Sequence, residues 1–158
     1  MTIVAPNVYV KETGTARGRG GYASRAHVAG ELVESCPVLL FSGTFAAVPA
    51  EVRQILFNWG VLTDGPSCHC LALGYGSMYN HENPSNMRYE ADPETRTLNF
   101  FAVRAIGVNE ELTINYNSRG GGHESQGDSW FSGHEVQRIS SAEPKACIEA
   151  ALKSIKKK

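Results

Sequence analysis

The stretch GYGSMYNHENPSN, residues 74–86, decides the fold because it combines turn-forming residues with side chains suited to ligand binding. Its glycines, its asparagines and Pro84 disfavour a regular helix or strand, which predicts an irregular segment that can hold a ligand. Within it, Asn80 carries an amide that both donates and accepts hydrogen bonds, and His81 follows directly. The plainer alternative is that Asn80 only caps a turn.

Composition limits what this segment can belong to. A chain of 158 residues with 42% hydrophobic and 20% charged residues predicts one compact domain with an ordinary core. The net charge of −1 argues against a protein held to nucleic acid by phosphate neutralisation. No apolar run is long enough for a membrane span, and the irregularly spaced cysteines and the N-terminus predict an intracellular protein with reduced thiols. We therefore expect neither a nucleic acid nor a membrane as a direct partner.

Short apolar runs, many of period two, predict a mainly β fold with few helices. The predicted strands are 7–11, 20–23, 31–41, 68–73, 86–91, 97–104 and 111–116. A brief helix is expected over Pro49–Gln54, with the following ILFNW as a strand, and DPETRT at 92–97 as a hairpin connection.

The composition changes after Tyr116. The run NSRGGGHESQGDS is rich in glycine and serine, cannot bury much, and predicts a mobile connector or lid. From Glu143 to Lys156 the apolar residues fall on one helical stripe, which predicts a C-terminal amphipathic helix. We therefore divide the chain into a main domain, residues 1–118, and a part packed on or covering it, residues 119–158.

A second glycine-rich segment, TARGRGGYA at 15–23, would let the backbone approach a ligand closely. It lacks the strand, spacing and helix of a dinucleotide-binding motif and the lysine of a phosphate loop. A plain hairpin turn and a single RNA-binding Arg-Gly box are the alternatives, and the net charge of −1 argues against the second.

Taken in order, GRGGYASRAHVAGELVE, LALGYGSMYNHENPSNMRYE and FFAVRAIGVNEELTINYN resemble the SET-domain protein lysine methyltransferases. The resemblance extends from about Val8 to Asn117 and implies a SET fold of several short-stranded sheets with a knot-like core. It also implies S-adenosyl-L-methionine as cofactor and a lysine-bearing protein or peptide as substrate.

The resemblance assigns roles residue by residue. It implies that the glycine-rich hairpin and the Asn-His pair bind the cofactor, which here means Arg17, Gly18, Arg19, Gly20, Asn80 and His81. It implies that Tyr116 is the catalytic tyrosine. Methyl transfer from a sulfonium to a neutral amine depends chiefly on positioning, so a hydroxyl that orients the amine suffices and no strong base is needed. The sequence departs from the family pattern at Glu82, where many members have serine.

Further residues complete the predicted site. Tyr89 matches a second channel tyrosine, and Ile114 lies where other members carry an aromatic residue that tunes the number of methyl groups added. Many histone-directed members end in a cysteine-rich zinc segment, which this sequence lacks after Tyr116. Instead Trp130 would cover the cofactor and Phe131 the lysine channel, unless both only anchor the tail.

A metal site is not expected elsewhere. Cys68 and Cys70 face one side of a predicted strand and His69 the other, so the three side chains cannot converge on one ion. The rival hypothesis is a non-catalytic SET-like module that binds a peptide or partner. The sequence identifies neither the target lysine, nor the number of methyl groups, nor the oligomeric state.

Overall fold

Short strands dominate the structure, as the sequence predicts. The computed structural model describes residues 6–41 and 43–128. In chain order the strands are β1 Val8–Glu12, β2 Arg19–Ala23, β3 Leu32–Phe41, β4 Leu56–Phe57, β5 His69–Ala72, β6 Asn80–His81, β7 Met87–Asp92, β8 Thr97–Ala102 and β9 Thr113–Ile114. The α-helices are α1 Ala50–Arg53 and α2 Trp59–Thr63. Single turns of 3-10 helix occur at Phe45–Ala47 and Gly76–Met78.

The largest sheet has five strands in the order β4-β5-β3-β8-β7, all antiparallel to their neighbours. Its central strand, β3, is covered on both faces, since the consecutive residues 33–36 are all buried. Two of these, Glu34 and Ser35, are polar and must find hydrogen-bond partners inside the protein.

Two smaller sheets flank this one. Strands β1 and β2 form an antiparallel hairpin, and β6 and β9 form a two-stranded parallel sheet. In the parallel sheet Asn80 lies opposite Thr113 and His81 opposite Ile114. The segment that we expected to be irregular thus contains a short strand, because β9 supplies backbone partners that local sequence cannot reveal.

The core is one cluster that includes residues of β3, β5, α2, β7, β8 and β9. Met87, Leu98, Phe100, Leu112 and Ile114 are all 0% exposed. Burying side chains of this size stabilises a fold by about 1.5–3 kcal/mol each. Strand β9, which leads directly into Tyr116, is therefore fixed by core packing rather than by surface contacts.

The local predictions are mostly confirmed, with two errors: the ILFNW strand, and the predicted strand 111–116, of which only Thr113–Ile114 forms a strand. Helix α1 lies within the predicted range, although Pro49 occupies the cap rather than the first helical position. The ILFNW strand is wrong beyond Phe57, since Asn58 caps α2 by accepting the Val61 N–H at 3.2 Å. The DPETRT hairpin is confirmed, because it joins β7 and β8, with Asp92 accepting the N–H groups of the turn.

The glycine-rich run after Tyr116 makes more contacts than its composition predicts. The Tyr89 N–H donates to the Arg119 carbonyl at 3.0 Å, and the Gly122 N–H donates to the Ser85 carbonyl at 2.9 Å. We call residues 118–128 the strap, because they lie against β7 and the loop before it. The predicted C-terminal helix, Trp130 and Phe131 lie outside the described residues. Within the described ranges, no helix is long and apolar enough to cross a bilayer.

Glu34 and Glu31 predict opposite pH effects on stability. Burial raises the pKa of Glu34 above its ordinary value of 4.5, opposed in part by hydrogen bonds from Tyr79 and Tyr75. The protonated form therefore stabilises the fold at low pH, and this contribution is lost as pH rises through the raised pKa. We expect the free energy of unfolding of the wild type, minus that of Glu34→Gln, to fall as pH increases above about 4.5.

Glu31→Gln is the matched control. The hydrogen bond from Arg25, with that from the Val28 N–H, lowers the pKa of Glu31 to about 2. Its contribution is present above the ordinary pKa of 4.5 and is lost as pH falls toward about 2, so the corresponding difference should rise with pH. Urea unfolding at several pH values measures both slopes, and slopes of the same sign would contradict the assignment.

Candidate active site

The β1–β2 hairpin brings its glycine-rich end against the Asn-His segment. A Cβ atom on Gly20 would lie 2.4 Å from Glu111 Oε1 and 2.9 Å from Asn80 Nδ2. Because both atoms end side chains, a Cβ atom at position 20 would force Glu111 and Asn80 to shift, whereas glycine lets β2 lie against them as they are. The sequence predicted a close approach of the hairpin backbone, and the structure shows that protein side chains occupy part of that space.

Asn80 connects three parts of the chain that are distant in sequence. Its Nδ2 donates to the Arg19 carbonyl at 3.1 Å and to Glu111 Oε1 at 2.7 Å. These contacts use the amide nitrogen, and within the described ranges its Oδ1 receives no hydrogen bond. Asn80 is thus fixed in orientation, with its acceptor available to a ligand.

Tyr116 is held by the same short segment at both its backbone and its side chain. Its N–H donates to His81 Nδ1 at 3.0 Å, and its hydroxyl donates to the Tyr79 carbonyl at 2.7 Å. The rings of His81 and Tyr116 meet edge to face, with centroids 5.3 Å apart. Because Nδ1 accepts, the ring proton of neutral His81 lies on Nε2, which is 3.3 Å from Asp128 Oδ1.

The Tyr116 phenol is neutral at physiological pH. Burial of its hydroxyl end is the main reason that its pKa rises to about 12, and the nearby Tyr89 and Glu111 raise the pKa further while Arg17 opposes them. The residue as a whole keeps 40% of its surface exposed, and its hydroxyl makes a half-buried hydrogen bond to the Tyr79 carbonyl. The phenol can therefore hold a hydrogen-bonded partner but is not a base.

Comparison with known proteins agrees with this geometry. Residues 18–117 match the profile of the family described as SET domain, and this range includes the hairpin end, the Asn-His pair and Tyr116. The chain belongs to the SET-domain family. This confirms the resemblance seen in the sequence. In the residues described, few and short helices and several small sheets agree with the predicted SET fold.

Relatives of this SET domain include a curated protein and solved structures. A Schizosaccharomyces pombe protein named histone-lysine N-methyltransferase, H3 lysine-37 specific, is 31% identical over 103 residues, covering 63% of this chain and 67% of that protein. A Plasmodium falciparum structure assigned as a histone methyltransferase has a TM-score of 0.56 at 20% identity, covering 72% of this chain and 95% of that one. A chain of the ctPRC2 complex has a TM-score of 0.57 at 20% identity, covering 73% and 15% respectively. The two structures support the fold alone.

An ion pair crosses from the SET hairpin to the Asn-His segment. Arg17 Nη1 lies 2.7 Å from Glu82 Oε2 and 3.9 Å from Glu111 Oε2. The hydrogen bond to Glu82 is the main cause of the raised pKa of Arg17. Glu82, which departs from the family's usual serine, thus has a specific partner, and the two side chains remain 40% and 44% exposed.

The predicted channel residues lie in different surroundings. Tyr89 is 5% exposed and packs edge to face on Phe57 with ring centroids 5.5 Å apart. It also borders an open depression of about 520 Å³ that does not include Tyr116. Ile114 is 0% exposed, inside the core. Their channel roles, and those of Trp130 and Phe131 outside the described residues, stay predictions.

Sequence reasoning missed Glu111 and the polar contacts of the strap. Asn83 Nδ2 donates to the Ser125 carbonyl and to Asp128 Oδ2, both at 2.8 Å. Asn83 Oδ1 accepts from Asn115 Nδ2 at 3.1 Å and from the Ser125 N–H at 2.9 Å. The strap is therefore tied to the loop after His81 by hydrogen bonds. The doublet Glu110-Glu111 belongs to a segment that carries the family resemblance, but no role was predicted for Glu111, and the glycine-rich run gave no indication of these contacts.

Metal ligation has no support in the geometry of the described residues. Within residues 6–41 and 43–128, no three histidine, cysteine, aspartate or glutamate side chains are close enough together to hold an ion. Cys36, Cys68 and Cys70 are free thiols. Burial raises the pKa of Cys70 to about 12, so its thiol is protonated at neutral pH.

Proposed function

We propose that this protein is an S-adenosylmethionine-dependent protein lysine methyltransferase that acts through Tyr116. The observation that carries the proposal is the double contact of Tyr116 with the Asn-His segment, through its N–H to His81 and its hydroxyl to the Tyr79 carbonyl. These contacts hold the hydroxyl close to Arg17 and Glu111, whose charges act on the phenol, so it lies among groups suited to a charged ligand. Membership of the SET-domain family supports the same activity.

The residues present fit the proposed cofactor. S-adenosylmethionine carries an ammonium and a carboxylate on its amino-acid part. The Arg17 guanidinium suits the carboxylate, and the Asn80 Oδ1 and Glu111 carboxylate oxygens suit the ammonium. Gly20 keeps the backbone close to this polar group, where a Cβ atom would occupy the space. We assign the cofactor site to these residues together with Gly18, Arg19 and the backbone of His81.

The chemistry needs little from the protein beyond orientation and exclusion of water. When bound, S-adenosylmethionine would supply a methyl group on a sulfonium: the N–C bond to the neutral lysine amine forms in line as the S–C bond breaks, S-adenosylhomocysteine leaves, and the methylated ammonium releases a proton to solvent. The Tyr116 hydroxyl gives its hydrogen to the Tyr79 carbonyl, so its oxygen lone pairs can accept a hydrogen bond from the amine. The half-buried hydroxyl and the buried Tyr89 nearby disfavour a charged ammonium, which favours the reactive amine.

The test is transfer of isotopically labelled methyl groups to protein substrates. The name of the fission-yeast relative suggests histone H3, and a peptide centred on lysine 37 of that histone is the first candidate. We expect label on a lysine side chain, located by mass spectrometry. If neither histones nor a cell lysate are labelled and S-adenosylhomocysteine does not bind, the proposal is wrong.

Asn80→Ala should weaken cofactor binding. The substitution removes the acceptor proposed for the cofactor and leaves Glu111 without its 2.7 Å partner. We expect the dissociation constant for S-adenosylhomocysteine to rise by about tenfold or more, the usual effect of losing a hydrogen bond to a charged group. Isothermal titration calorimetry measures it. Asn99→Ala is the control, because Asn99 bonds Ser35 in the central sheet, and an equal effect of both variants would contradict the pocket.

A further inference from the structure

Glu34 is a carboxyl group in the core, where an apolar side chain would be expected. It is 2% exposed and lies on β3 between the buried Val33 and Ser35. Burial of a carboxyl group is costly unless its oxygens are hydrogen-bonded. Here the Tyr79 hydroxyl donates to Oε2 at 2.6 Å and the Tyr75 N–H donates to Oε1 at 3.0 Å. Both oxygens therefore engage the segment that precedes the Asn-His pair.

That segment is shaped around the β3 side chains. A Cβ atom on Gly74 would lie 2.4 Å from Glu34 Oε1, and one on Gly76 would lie 2.7 Å from Cys36 Sγ. Its last residue, Tyr79, is 1% exposed and packs edge to face on Phe100 with ring centroids 5.1 Å apart. The path of residues 74–79 is thus fixed by contact with the carboxyl and its neighbours.

The same segment determines where the Tyr116 hydroxyl lies. The backbone carbonyl of Tyr79 accepts that hydroxyl at 2.7 Å, while the Tyr79 side chain binds Glu34. A continuous chain of two hydrogen bonds and one residue therefore links the buried carboxyl to the proposed catalytic phenol.

We propose that Glu34 is a positioning residue for methyl transfer: by holding Tyr79 and Tyr75, it fixes the carbonyl that orients the Tyr116 hydroxyl. The inference rests on the proposed function, since it assumes that Tyr116 orients the substrate amine. It explains why a buried acid is kept at a site where an apolar residue would avoid the cost of burial. Glu34 touches neither substrate nor cofactor in this assignment and acts through Tyr79.

The test uses Glu34→Gln, Tyr79→Phe and the double variant. Glutamine keeps the shape of the Glu34 side chain but turns an N–H donor toward one of the two groups that donate to Glu34, the Tyr79 hydroxyl or the Tyr75 N–H. Phenylalanine at position 79 removes only the Tyr79 hydroxyl. We expect kcat to fall about tenfold in each, because small displacements of an orienting group lower the rate steeply. The kcat of the double variant should be no lower than that of the more affected single variant, because both substitutions break the same interaction between Glu34 and Tyr79. The affinity for S-adenosylhomocysteine should stay within about twofold, since the Asn80 contacts are intact.

The NMR signal of the Tyr116 ring provides a readout that does not depend on activity. With 13C-labelled tyrosine, and Tyr116→Phe to assign the signal, the Tyr116 Cζ resonance should shift in Tyr79→Phe and in Glu34→Gln. Ser35→Ala is the matched control, because it is the next residue on β3, is 5% exposed, and bonds Asn99 on β8 at 2.6 Å. It should lower stability without changing kcat or the resonance.

The outcomes separate this inference from the proposed function. An unchanged kcat and resonance in Tyr79→Phe overturns the positioning role, even if Glu34→Gln fails to fold. A loss of cofactor affinity equal to the loss of kcat also overturns it, since the whole site would then have collapsed. If the wild type methylates nothing, the proposed function fails, and the Tyr116 resonance still decides whether Glu34 positions the phenol.

Discussion

Tyr116→Phe is expected to lower kcat by about 100-fold or more, because the hydroxyl that we propose to orient the amine is lost while the ring keeps its packing. The variant removes the 2.7 Å hydrogen bond to the Tyr79 carbonyl and retains the N–H contact with His81, which belongs to the backbone. Binding of S-adenosylhomocysteine should therefore change by no more than about twofold. Steady-state methyl transfer and calorimetry measure the two quantities.

Tyr9→Phe is the control for this prediction. The Tyr9 hydroxyl donates to Asn109 Oδ1 at 2.9 Å, on the outer side of the hairpin. Its loss should leave kcat unchanged. Full turnover in Tyr116→Phe would remove Tyr116 from the mechanism, and an equal loss in both variants would point to a general effect of hairpin and strand packing.

Gly121→Ala is expected to lower the free energy of unfolding by at least about 2 kcal/mol, from backbone strain and overpacking together. Gly121 has a φ of +56°, in the left-handed region that side chains other than glycine rarely adopt. A Cβ atom there would lie 2.3 Å from the Met87 carbonyl oxygen and 3.0 Å from Ser85 Oγ. Because the nearest atom belongs to the backbone of β7, the strap itself must move away.

Gly120→Ala provides the comparison at the neighbouring position. A Cβ atom on Gly120 would contact only Ser118 Oγ, at 3.8 Å, and the φ angle of Gly120 is not in the left-handed region. This change should leave the free energy of unfolding within about 0.5 kcal/mol, as for most surface substitutions. Equal stability of the two variants in urea would show that the strap is not packed on β7.

The sequence predicts best those elements whose cause is local. Strand β3 was expected over 31–41 and is found over Leu32–Phe41, and the hairpin after Asp92 was expected from its turn residues. Apolar runs and turn-forming residues determine the structure of a few neighbouring residues, so the cause of such an element lies entirely in its local sequence. Helix α2 was missed because its five residues, WGVLT, are apolar without a periodic pattern, and its start depends on the Asn58 cap.

The elements that depend on distant partners could not be predicted in this way. Strand β6 exists because β9 pairs with it from more than 30 positions away in the sequence, Asn80 opposite Thr113. The Asn-His pair and Tyr116 were found through the family resemblance, which records such distant contacts. Glu111 lies within a segment that carries the resemblance but received no role, and the burial of Glu34 was not predicted, since an acidic residue on a predicted strand is ordinarily a solvated one.

The long reach of the site contacts has a consequence for biosynthesis. Asn80 bonds Arg19 across 61 positions and Glu111 across 31, and Tyr116 bonds His81 across 35. Contacts of such separation form late, after the loops between them have closed. A nascent chain that ends before Tyr116 therefore lacks the contacts of that residue with Tyr79 and His81, and the proposed site is complete only after this tyrosine has left the ribosome.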